Sequence, residues 1–123
     1  MSTFRLRLGM PGVKKREYEA IVVGAGPAGL TAALYLARYK VSTLVITKDI
    51  GGLLNKIDVL ENYPGFKRIK GSELAKILKE QADEVGVKTL LDEVIRVEKN
   101  EEKFKVITRN YGEFYSKAVI VAT

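Results

Sequence analysis

Three glycines, Gly24, Gly26 and Gly29, fall in the spacing G-x-G-x-x-G inside AIVVGAGPAGLTAALYLARYKVSTLVI, residues 20–46. An apolar run precedes them and a helix-forming run follows. In that context the spacing serves a pyrophosphate, because free N–H groups and the dipole of a helix N-terminus meet its charge. Gly24 gives the tight turn, Gly26 lets the backbone approach the phosphates, and Gly29 lets the helix lie close to the strand. The pattern points to a dinucleotide site, the alternative being a tight turn that holds no ligand. Such sites usually carry an Asp or Glu after the second strand for the ribose hydroxyls. Here that strand ends in Thr47-Lys48, and the nearest acid, Asp49, reads as a solvated loop residue.

The rest of the chain offers little other chemistry. Its 123 residues contain no cysteine and no histidine. Disulfides, thiol redox chemistry, Cys/His metal sites and Ser-His-Asp triads are therefore excluded for this chain, and no residue reads as catalytic or metal-binding. A borrowed cofactor would supply what the side chains lack. Arg5, Arg7, Lys14, Lys15 and Arg16 place +5 of the net +6 in the first 16 residues. Residues 1–17 read as a basic N-terminal arm, solvated or docked. The body behind it has no basic face of the kind nucleic acid needs. No apolar run approaches a membrane span and no secretory signal opens the chain, so the expectation is a cytoplasmic protein away from membranes.

The positioning elements follow from periodicity. Tyr18–Val23 and Ser42–Thr47 read as strands buried on both faces. Pro27 opens a helix, and Ala28–Tyr39 is apolar almost all round, which predicts a well-buried helix. Residues 48–70 form a long connection, too apolar for disorder. A second helix is expected from Gly71-Ser72 to about Val85, with Ser72 as N-cap, an apolar stripe of Leu74, Ile77 and Leu78, and Gly86 as C-cap. Val87–Leu91 is a third strand. Then Val94–Glu98, Lys103–Thr108 and Glu113–Tyr115 alternate as an antiparallel meander, and Ala118–Ala122 returns as a separate buried strand.

GGLLNKIDVLENYPGF (residues 51–66), VGAGPAGLTAALYLAR and the closing VIVAT together resemble the flavin domain of the thioredoxin reductase family. The resemblance covers Tyr18 to Thr123 and includes the missing acid after strand two. It implies an α/β fold: a Rossmann-like FAD-binding domain (residues 18–123) with a parallel sheet, two main helices and a β-meander, incomplete relative to the family. It implies FAD, with its pyrophosphate at Gly26, Pro27 and Ala28, Gly51-Gly52 passing close to the flavin side, Asn62 using its amide near the flavin, and Val94 near the adenine. Asn62 otherwise reads as a turn residue before Pro64.

This sequence departs from the family in two ways. Leu53 stands where the family commonly has Gln. The family's Cys-x-x-Cys and nicotinamide-binding glycines, which belong to a second domain, are not in this sequence. The expected function is the FAD-binding segment of an NAD(P)H oxidoreductase, passing a hydride from nicotinamide to flavin and then electrons to a disulfide or other acceptor such as a thioredoxin. On this reading the chain is a fragment that is inactive alone, or a flavin subunit paired with a separate nicotinamide-domain chain or forming a homodimer. The remaining alternative is a non-catalytic module for FAD, NAD or ADP.

Overall fold

Continuous apolar runs fill the middle of a parallel sheet, as strands covered on both faces must. In the computed structural model, which describes residues 15–123, β1 (Glu17–Val23), β2 (Thr43–Thr47) and β3 (Lys88–Leu91) lie side by side and parallel. Every residue of β2 is buried. The crossovers are α1 (Pro27–Arg38) and α2 (Gly71–Glu84). Both helices pack on one face, where Val22 and Val45 meet Leu30, Ala33, Leu74 and Leu78. The alternate residues Ile21, Leu44 and Ile46 point the other way, onto Val106 and Phe114. Val106 lies on β5 (Phe104–Thr108) and Phe114 on β6 (Gly112–Val121), which follow β4 (Val94–Lys99), and the strand order is β3-β2-β1-β6-β5-β4. The fold is thus a partial Rossmann-like layer with a β-meander. Residues 1–14 of the basic arm lie outside the described residues. Of the arm's remaining residues, Lys15 lies over the Tyr18 ring and Arg16 over the Phe114 ring, while Glu17, expected in the arm, is the first residue of β1.

The structure differs from the sequence expectation in four places. The last meander strand and the closing strand are one ten-residue strand. Residues 112–116 of β6 pair antiparallel with β5, while residues 115–121 pair parallel with β1, so Tyr115 and Ser116 have a neighbour on each side. Polar Ser116 and Lys117 suggest a break, but Ser116 is buried and its hydroxyl donates to the Ala118 carbonyl at 2.8 Å, so the chain runs on. Second, α1 is covered on one side only: Gly29, Leu30 and Ala33 are buried, while Tyr35 is 58% exposed. Third, Ser72 does not cap α2, which begins after Lys70 without a side-chain cap. Backbone contact sets the entry instead, since Gly71 N–H donates to the Ile57 carbonyl at 3.1 Å and a Cβ on Gly71 would lie 1.9 Å from the Leu54 oxygen. Fourth, Ile77 is exposed, and the buried stripe runs through Leu74, Ala75, Leu78 and Ala82.

The C-cap follows the expectation. Gly86 (φ +93°) donates to Asp83 and Val87 to Ala82, the paired bonds that close a helix with a left-handed residue. Val87 then turns into the core. The long connection holds a 3-10 turn at Gly52–Lys56 and a bridge between Leu60 and Ile69.

Candidate functional site

The glycine turn sits at the C-terminal end of β1, where the parallel strands open to a crevice, the usual place for a ligand in such a sheet. Gly24 has φ +106°, and a Cβ there would lie 2.6 Å from the Ala122 oxygen. At Gly29 a Cβ would lie 2.0 Å from the Gly24 oxygen. These two glycines are therefore demanded by the fold itself. Gly26 is different: its backbone is extended, and the nearest atom to a Cβ would be the Gly51 oxygen at 3.8 Å. The space beside it is open.

That space is a cleft of about 490 Å³ whose lining includes Gly24, Gly26, Pro27 and Ala28 of the turn together with Asp92, Glu93 and Val94. Lys48, Asp49, Gly52 and Leu53 complete the rim. Pro27 opens α1 behind the N-cap Gly26, and the first turn carries no acidic residue. The unpaired N–H groups of this turn and the positive end of its dipole suit an anion. Thr47, where an acid is usual, is buried and donates its hydroxyl to the Asp49 carbonyl at 2.6 Å, so it is committed to the loop. Asp49 is an exposed loop residue, as expected, yet it also lines the cleft.

Gly51-Gly52 is clasped to the turn. Gly51 N–H donates to the Ala25 carbonyl at 2.7 Å, and a Cβ on Gly52 would lie 3.6 Å from Gly26 Cα. Both have positive φ, +100° and +54°. Gly51 is buried behind the cleft with Asn55 and Ala75 against it. The structure therefore brings Gly24, Gly26, Pro27, Ala28, Gly52 and Val94 into one cleft, with Gly29 and Gly51 supporting it. Asn62 is exposed, in the loop between Leu60 and Ile69, and is not part of the lining.

Asp92 was not singled out by its sequence position, an acid at a strand end. It is 5% exposed and accepts hydrogen bonds from Glu93, Asn110 and Tyr111. Burial pushes its pKa up, but the hydrogen bonds, chiefly those from Glu93 and Asn110, outweigh it and hold the carboxyl below the ordinary aspartate value. A second, more open recess of about 620 Å³ lies at the other end of β1, around Glu17, Asn100, Lys103 and Tyr115. It holds the exposed Glu17–Lys103 ion pair and no glycine turn.

Comparison with known proteins points the same way. The sequence pattern of the pyridine nucleotide-disulphide oxidoreductase family matches residues 18–123. The thioredoxin reductase of Bacillus subtilis is 38% identical over 110 residues, 89% of this chain and 34% of that protein. The thioredoxin reductase of Aquifex aeolicus is 42% identical over 108 residues, 86% of this chain and 33% of that protein. Among solved structures, the thioredoxin reductase from Streptococcus pyogenes superposes with a TM-score of 0.85 at 35% identity, covering 89% of this chain and 36% of that one. The chain thus spans about a third of the length of the relatives it matches.

Proposed function

The chain belongs to the pyridine nucleotide-disulphide oxidoreductase family, and from that premise we propose that its cleft binds FAD in extended form. The observation that carries the reading is the meeting of the glycine turn, Gly52 and Val94 around one cleft. The residues fit such a group. Gly26 leaves open the volume that a side chain would fill, beside a helix N-terminus without acids. In this reading Gly26, Pro27 and Ala28 receive the pyrophosphate. Gly24 and Gly29 shape the turn. Gly51 and Gly52 bring the loop against it, and Val94 meets the adenine. Asn62, exposed on its loop, serves the flavin end.

Bound FAD would supply the hydride-accepting centre that a chain without Cys or His lacks. The task of these residues is to bind and orient it. We assign the whole protein, of which relatives are about three times this length, the transfer of a hydride from NAD(P)H to flavin and of electrons to a disulfide, with a thioredoxin-like acceptor. Residues 18–123 are the FAD-binding part and 1–17 an arm. Among the described residues no helix is long and apolar enough to cross a membrane, and we place the protein in the cytoplasm. Titration of the chain with FAD, ADP and NADPH, followed by calorimetry and flavin absorbance, tests the reading. FAD and ADP should bind. If neither does, the cleft is not a nucleotide site.

A further inference from the structure

Asp92 sits in the cleft wall but has no capacity left for a ligand. Its Oδ1 accepts from Glu93 N–H at 2.7 Å and from Asn110 Nδ2 at 2.9 Å. Its Oδ2 accepts from the backbone N–H of Asn110 at 3.0 Å and of Tyr111 at 3.1 Å. A carboxylate has about four acceptor positions, and these bonds fill them. The groups tied together come from three places. Asp92 N–H itself donates to the Thr47 carbonyl at the end of β2, at 2.8 Å. Asn110 and Tyr111 form the β5–β6 turn. Glu93 and Val94 are the cleft wall facing the glycine turn.

A second tie acts on the same wall. Arg109 donates its backbone N–H to the Glu93 carbonyl at 2.9 Å and its Nε to Glu93 Oε1 at 2.9 Å. Val94 pairs with Thr108, but the register slips between Val94 and Arg96, so Val94 stands apart from the regular ladder that runs from Arg96 to Lys99. Beyond the Val94–Thr108 pairing, the Glu93–Val94 backbone is held by the bonds that run through Asp92 and Arg109 to the β5–β6 turn. Lys48 and Asp49, the other charged side chains of the cleft, are exposed on the rim and stand outside this network.

We propose that Asp92 is a positioning residue for nucleotide binding: it locks the Glu93–Val94 wall to the β5–β6 turn and so fixes the surface against which the adenosine end rests. This rests on the nucleotide reading of the cleft. Asp92→Asn keeps the shape but turns one acceptor into a donor facing donors. The test measures ADP affinity by calorimetry and ADP-induced amide shifts by NMR, on the parent, Asp92→Asn and Asn110→Ala. With Asp92→Asn the ADP affinity should fall about tenfold, the cost of one broken charged hydrogen-bond set. The amide shift at Val94 should be lost while that at Ala28 is kept, which a general loss of stability would not produce. Asn110→Ala keeps the carboxylate and removes one donor. It should weaken ADP less, in the same pattern, and it decides the matter if Asp92→Asn does not fold. Unchanged affinity in a folded Asp92→Asn, or equal loss of shifts at Ala28 and Val94, overturns the proposal while leaving the nucleotide site standing. A parent that does not bind ADP overturns both.

Discussion

Gly52 lies against the backbone of Gly26, so close that a Cβ on Gly52 would sit 3.6 Å from Gly26 Cα. Two stretches 26 positions apart in sequence thus form one surface. The Gly51 N–H, which donates to the Ala25 carbonyl at 2.7 Å, holds the two stretches together.

The three turn glycines should respond differently to substitution. Gly26→Val has an extended backbone and open space, so it should cost about 1 kcal/mol or less while abolishing ADP and FAD binding. Gly29→Ala drives a methyl to 2.0 Å from the Gly24 oxygen and should destabilise by about 3 kcal/mol. Thermal melts with ADP titration separate the two. A Gly26→Val protein that binds like the parent would remove the turn from the site.

Asn62 is exposed and makes no hydrogen bond that would hold the loop. Asn62→Leu should therefore change ligand-free stability by no more than about 0.5 kcal/mol. If it serves the flavin end, FAD affinity and absorbance should change while ADP affinity does not. A melting-temperature drop with normal FAD binding would mark it as a turn residue instead.

Asp92 should also show in acid. Its folded-state pKa is lowered, so its stabilisation is present above the unfolded value and is lost as pH falls through the folded one. Asp92→Asn should be less stable than the parent by about 2 kcal/mol at pH 7. The difference should shrink as pH drops below about 4. Urea melts across pH would show parallel curves if the carboxylate played no part.

The 123-residue chain has no cysteine and one dinucleotide turn. With FAD added, it should oxidise NADH or NADPH no faster than free FAD does. A steady-state assay with an artificial acceptor checks this. Turnover clearly above free FAD would mean that this segment suffices for reductase chemistry.

Sequence alone determined what local chemistry controls. The G-x-G-x-x-G spacing, Pro27 at the helix start, the apolar run Leu44–Ile46 within β2 and Gly86 at the end of α2 each act within a few residues, through backbone freedom or periodicity. They placed the parallel strands, both crossover helices and the turn. The tertiary structure decided what depends on distant partners. Whether Ser116 breaks a strand depended on its pairing with Tyr18 of β1 on one side and Phe104 of β5 on the other. How α2 begins depended on Leu54 and Ile57 lying against Gly71. How much of α1 is buried depended on which layers reach it. Asp92 looks like any strand-end acid until the β5–β6 turn folds over it, because a carboxylate's role is set by the donors that surround it.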